Sequence, residues 1–139
     1  MRKAPKTQTL WNTLSKHLRT INPYCEKCGR TERLACHHLI RRSSSRAWHL
    51  FNPRNIVIVG GRCHDMADTN PIAFTNWLQE HLPDSWQWCC ENANLITGKW
   101  RGQRHMKLVK RWLSVVTECD NMQEFRELPT WQEMYEDEL

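Results

Sequence analysis

The sequence predicts an α+β chain: a small core of two short strands and one helix, held by a cysteine knuckle and flanked by N-terminal and C-terminal helices. Three observations predict it. A β-branched run, Ile56-Val57-Ile58-Val59, follows a shorter candidate strand, Leu34-Ala35-Cys36-His37-His38. Cys25, Cys28 and Cys63 flank that strand pair. Apolar residues recur at helical spacing on either side of it. The 139 residues suit a single domain over 1–139 with one modest core.

The elements follow in order. Residues 7–20 form the N-terminal helix: Leu10, Trp11, Leu14 and Leu18 share one face, Thr7 or Thr9 can cap it, and Asn22-Pro23 stops it. The core spans 24–70. The CxxC turn comes first, then the short strand, an Arg-rich polar loop, the β-branched strand and the Gly60-Gly61 turn. A helix begins near Cys63. A helical extension covers 71–117. Asn70-Pro71 gives it an N-cap followed by Pro at the first helical position, and Pro83 ends its first segment. Over 103–117, Met106, Val109, Trp112, Leu113 and Val116 make an amphipathic stripe whose other face carries Arg104, Lys107, Lys110 and Arg111. Residues 118–139 read as an acidic tail, partly disordered.

Charge is divided along the chain. Residues 1–62 hold 13 Lys+Arg against 2 Asp+Glu, and residues 63–139 hold 7 against 13, which together give the net +5. A basic front half suits a polyanion, and nucleic acid is the commonest one. No apolar run is long enough to span a bilayer, and no signal core follows the basic start. The expectation is a soluble, cytoplasmic protein without a membrane partner. Seven cysteines, an odd number, with two of them in a CxxC, favour metal binding over disulfides in a reducing compartment.

Cys25 and Cys28 place two thiolates on one tight turn, as a structural zinc requires, and Cys63 can swing back after Gly60-Gly61 as a third ligand. The fourth is open: Cys36 is the nearest spare thiol, with Cys89, Cys90 and Cys119 farther off. His37 and His38 are adjacent, so a regular strand aims them at opposite faces. One can ligate a metal while its neighbour acts on water, because neutral imidazole suits both tasks near pH 7. Asn55, leading the second strand, can hold a loop through its side-chain amide. His64 at a helix start can face back toward the His37-His38 strand.

The ordered set CxxC, His37-His38, Asn55, Cys63-His64 resembles the HNH, or ββα-metal, nuclease family. The stretch His37-His38-Leu39-Ile40-Arg41-Arg42-Ser43, with Arg46-Ala47-Trp48 and Asn55-Ile56-Val57, is similar to small bacteriophage-encoded HNH proteins, which act in the host cytoplasm. The resemblance covers residues 24–66. It implies a metal-dependent endonuclease that hydrolyses DNA phosphodiester bonds. His38 would be the general base on water, and Asn55 would brace the loop that orients it. His37 and His64 would hold a divalent cation, Mg²⁺ or Mn²⁺, with Zn²⁺ or Ni²⁺ as alternatives. Cys25, Cys28 and Cys63 would match three of the four zinc cysteines seen in many members. One departure stands out: the family's second knuckle is usually another CxxC, and here Gly60 occupies the place of its first cysteine.

Arg41, Arg42 and Arg46 lie in a loop free of acidic residues and are natural contacts for the DNA backbone, which position a duplex without reading its sequence. The stripe of Arg104, Lys107, Lys110 and Arg111 is a second candidate. The acidic tail can mimic DNA or bind a protein partner. Two rival readings stand beside the nuclease: a zinc-stabilised DNA-binding or adaptor module without a catalytic cation, and a thiol redox protein. No thioredoxin-like pattern surrounds the CxxC to support the latter.

Overall fold

A computed structural model describes residues 6–40, 49–92 and 102–139. Arg41, Arg42 and Arg46, the expected phosphate contacts, lie outside the described residues. Within those residues the chain is α+β and mainly helical, with a single two-stranded antiparallel sheet.

Helix α1 (Thr7–Ile21) presents Leu10, Leu14 and Leu18 to the core. Its N-cap is Lys6, with no side-chain cap. The expected threonine cap is therefore not formed; Thr7 is already inside the helix, and its hydroxyl points at the Met106 sulfur, 3.4 Å away. Strand β1 (Ala35–His38) pairs with β2 (Ile56–Val59) in the register Ala35–Val59, Cys36–Ile58, His37–Val57 and His38–Ile56. A short 3₁₀ turn, Pro53–Asn55, leads into β2.

Strand β2 is buried on both faces while β1 is half-buried, and the alternation decides where each side chain goes. Ile56 and Ile58 join α1 and the C-terminal helices in the main core. Val57 and Val59 face the other way, into a second cluster with Cys25, Cys63 and Phe74. Helix α2 (Gly61–Thr69) carries Cys63 and packs on that second face. Asn70 caps α3 (Pro71–His81) by accepting the Ala73 N–H at 3.3 Å, as its sequence predicts. Leu82 ends α3, and Pro83 opens the next helix, α4 (Pro83–Asn92), since proline costs least at a first helical position. Helix α5 (Gly102–Val116) inserts Leu108, Val109, Trp112, Leu113 and Val116 into the main core.

The acidic tail is the main correction to the sequence reading of the fold. It forms α6 (Met122–Glu127), α7 (Trp131–Met134) and a terminal 3₁₀ turn. Phe125 and Trp131 are fully buried in the main core, so this segment completes that core. Asn121 and Thr130 cap the two helices. Arg126 then reaches about 100 residues back along the chain to make a bidentate ion pair with Glu26, at 2.6 and 2.7 Å, and also donates to the Ile56 carbonyl at 3.1 Å. The charge count saw acidity; it did not weigh the apolar residues spaced between the charges. Among the described residues, no helix is long and apolar enough to cross a membrane.

Candidate functional site

The CxxC turn lies between α1 and β1. Gly29 sits at φ +78, which glycine adopts without strain, and its N–H bonds back to the Cys25 carbonyl at 2.9 Å. Glu26 anchors the turn to the sheet twice. Its N–H donates to the Ile58 carbonyl at 2.9 Å, and its carboxylate accepts the Ile58 N–H at 2.7 Å. The turn is thereby held against β2, whose chain continues through Gly60 into α2 and Cys63. The sulfurs of Cys25, Cys28 and Cys63 come within 4.8 Å of one another, Cys25 and Cys63 buried and Cys28 exposed.

The environment of these thiols suits a metal that takes soft donors. Burial alone would raise the Cys25 thiol, but backbone hydrogen bonds from Gly60, Cys28 and Lys27 and the Cys28 thiol bring it below its ordinary value. Burial, then the thiols of Cys28 and Cys25, push Cys63 up to about 12. Three crowded thiols cannot all ionise alone, and a cation that replaces their protons removes the conflict. Three soft sulfur donors on one turn and one helix fit a zinc ion. Cys36, the nearest spare thiol in the sequence, does not join them. It pairs with Ile58 on the opposite face of the sheet and points its thiol at the Ser15 carbonyl, 3.8 Å away. Cys119 lies in the main core.

The histidines divide as their positions on a strand require. His37 projects to the α2 side, where its ring centroid stands 4.8 Å from that of His64, edge to face, with Phe74 at 5.8 Å behind it. His38 projects to the other face. Its ring lies 4.2 Å from Trp11, tilted by 34°, and its Nε2 is 3.0 Å from the Leu50 carbonyl oxygen. A carbonyl only accepts, so Nε2 is the donor in this contact. A cleft of about 170 Å³ borders both histidines and is also lined by Asp68, Thr75, Trp86 and Cys89.

Asn55 ties the ends of this arrangement together. It is fully buried. Its Oδ1 accepts the Ile40 N–H at 2.6 Å, and its Nδ2 donates to the carbonyls of His49 at 3.1 Å and Ile40 at 3.4 Å. Its backbone carbonyl accepts the Leu39 N–H at 2.9 Å. One carboxamide therefore pins both ends of the segment that leaves β1 after His38 and returns at His49.

No protein-family model, curated protein or solved structure matches this chain.

Of the sequence-predicted residues, His37 and His64 are brought together, Cys25, Cys28 and Cys63 are brought together, and Asn55 braces the segment after His38. His38 itself stands on the opposite sheet face from the His37–His64 pair. The second basic stripe is partly engaged by the chain's own C-terminus. Arg104 donates to the Glu138 carbonyl at 2.8 Å, and Arg111 pairs with the Glu138 carboxylate at 2.8 Å while lying over the Tyr135 ring. Three contributors escaped the sequence reading. Trp11 looked like a core residue and stacks on His38. Leu50 contributes through its carbonyl, which no residue-type pattern can reveal. Asp68 was legible in principle, since it follows His64 by four residues and so shares its helix face.

Proposed function

We propose that this chain is a metal-dependent DNA endonuclease of the HNH type. The observation that carries the reading is the meeting of His37 from β1 with His64 from α2; His38, on the other sheet face, borders the same cleft as His37 and meets the Leu50 carbonyl. Two imidazoles from different elements converge where the resemblance expects a cation, and the histidine between the strand and the braced segment presents an acceptor nitrogen. The basic first half of the chain supports a polyanionic substrate.

His37 and His64 would hold the divalent cation, and Asp68 lines the cleft that borders His37 and His38. Bound there, such an ion supplies charge to the non-bridging phosphate oxygens and to the leaving 3′ oxygen. The chain's own residues do the rest. Nδ1 of His38 takes a proton from water as the water oxygen attacks phosphorus and the bond from phosphorus to the 3′ oxygen breaks. The imidazolium so formed keeps its Nε2–H on the Leu50 carbonyl and lies against the Trp11 ring. Asn55 acts as a positioning residue: it fixes the backbone on either side of the segment after His38 and thereby the direction of that ring. Zinc at Cys25, Cys28 and Cys63 would staple the CxxC turn to α2, which matters in so small a core.

The test is cleavage of supercoiled plasmid in Mg²⁺ or Mn²⁺ by the intact protein and by His38→Ala. Tight DNA binding without cleavage by the intact protein would replace the nuclease reading with that of a zinc-stabilised DNA-binding module.

A further inference from the structure

The thiol cluster has three sulfur corners and a glycine at the fourth. Gly60 has φ −78 and ψ 172, an ordinary extended conformation, so no backbone requirement calls for glycine there. A Cβ at that position would lie 3.8 Å from the Cys25 Cβ, a separation at which side chains share one metal or one disulfide. It would also meet the Glu32 carbonyl oxygen at 3.1 Å, a tight contact in which that backbone must give by a few tenths of an ångström. Position 60 is therefore beside the cluster, and its lack of a side chain leaves that corner without a donor from the described residues.

The space beyond that corner is specific in character. A cleft of about 40 Å³ is lined by Cys28, Gly60 and Gly61 together with Arg30, Arg33, Arg62 and Glu32. That volume admits one water-sized donor group. Arg33 has φ 47, a left-handed conformation that strains a non-glycine residue. From there its guanidinium lies flat on Gly61, where a Cβ would sit 2.6–2.8 Å from its Nη2, Cζ and Nε. Gly61 is thus the residue that lets Arg33 come to the mouth of the cleft.

We propose that Cys25, Cys28 and Cys63 form a three-thiolate metal centre whose fourth position is open to a small exogenous anion, a thiolate or hydroxide, admitted through the cleft beside Gly60 and Arg33. This rests on the thiol cluster as a metal site and is independent of the nuclease reading. Three thiolates leave a tetrahedral divalent ion one ligand short, which is how metal centres that exchange a ligand differ from closed structural ones. Three guanidiniums against the single carboxylate of Glu32 leave the cleft lining net positive, which favours an anionic occupant over a neutral one. When a thiol enters, its proton passes to solvent, its sulfur takes the open corner, and any water held there leaves.

Cobalt(II) reports the donor set by its colour. The full-length protein is loaded with Co²⁺ in thiol-free buffer, and its spectrum is followed as 2-mercaptoethanol is added. The expected result is sulfur-to-cobalt charge-transfer absorption at the start. On titration that absorption grows and the visible bands shift to longer wavelength, as three sulfur donors become four. Gly60→Cys should show the four-sulfur spectrum before any addition and should not respond further. Gly60→Ala carries the same Cβ without the thiol and should respond as the intact protein does, which separates the steric effect of the new carbon from ligation. Charge-transfer absorption that 2-mercaptoethanol leaves unchanged in the intact protein overturns the open position while keeping the metal site. Absence of any such absorption overturns both.

Discussion

The Asn55 side-chain oxygen accepts the Ile40 N–H at 2.6 Å, in a site from which water is excluded. This one contact closes the end of β1 onto the start of β2, and the same amide donates to His49 at the far end of the intervening segment. Asn55→Ala strands the Ile40 N–H and two carbonyls. Each buried polar group left unpaired costs about 1–3 kcal/mol. The expected outcome is a loss of at least ~2 kcal/mol in urea unfolding and, with Mg²⁺ present, a larger fall in cleavage kcat than in KM. An unfolding midpoint within error of the intact protein would show that the brace is dispensable.

Glu26 and Arg126 form a second long-range tie. Their side chains are 11% and 15% exposed, and the Glu26 carboxylate also receives the Ile58 N–H. Removing one partner leaves the other charge buried and uncompensated, which costs about 3–5 kcal/mol. Arg126→Ala should destabilise by that order. Glu26→Gln combined with Arg126→Gln should cost less than the two single changes together, because neither charge is then stranded. Full additivity in that cycle would mean the pair is not coupled.

Cysteine ionisation gives a prediction of definite sign. Burial, with a smaller contribution from Cys90, pushes the Cys89 thiol from its ordinary 9.0 up to about 12. A folded-state value above the unfolded one means its contribution is fully present below pH 9 and is lost as pH rises toward 12. Stability should therefore drop between pH 9 and 11 more in the intact protein than in Cys89→Ser, which has nothing to ionise there. Equal drops in urea melts at the two pH values would contradict the assignment. At pH 8 a thiol reagent should label exposed Cys90 well before Cys89.

The cysteine cluster is testable through metal content. Zinc should copurify with the intact protein and be lost in Cys25→Ser. Its removal by a chelator should lower Tm by at least ~4 °C, the shift that about one kcal/mol produces in a small domain. Zinc retained by Cys25→Ser would exclude that residue as a ligand.

What was legible in the sequence follows from the range of the physics involved. Ile56–Val59, the Asn70-Pro71 helix start and the α1 and α5 stripes are local signals, and each element appears where they put it, although the threonine cap expected for α1 does not form. The grouping of Cys25, Cys28 and Cys63 was readable because the CxxC turn is local and Cys63 follows the strand closely, although Gly60-Gly61 is a direct strand-to-helix junction, with the helix starting at Gly61, where the sequence reading expected a turn. The tail was misjudged because Phe125 and Trp131 are buried by residues far away in sequence, while the charges around them are counted locally. The Arg126–Glu26 pair and the Leu50 carbonyl contact to His38 lie beyond any residue pattern for the same reason. His37 and His38 were expected on opposite faces from strand alternation alone, and they are.

The central claim is that His38 serves as the base for phosphodiester hydrolysis. The direct measurement is nicking of supercoiled plasmid with Mn²⁺ or Mg²⁺, run with the intact protein and with His38→Ala, with DNA affinity measured in parallel. The account predicts nicking that EDTA stops and a loss of about 10²–10⁴-fold or more in His38→Ala at nearly unchanged affinity. Cleavage by His38→Ala at the rate of the intact protein would contradict it.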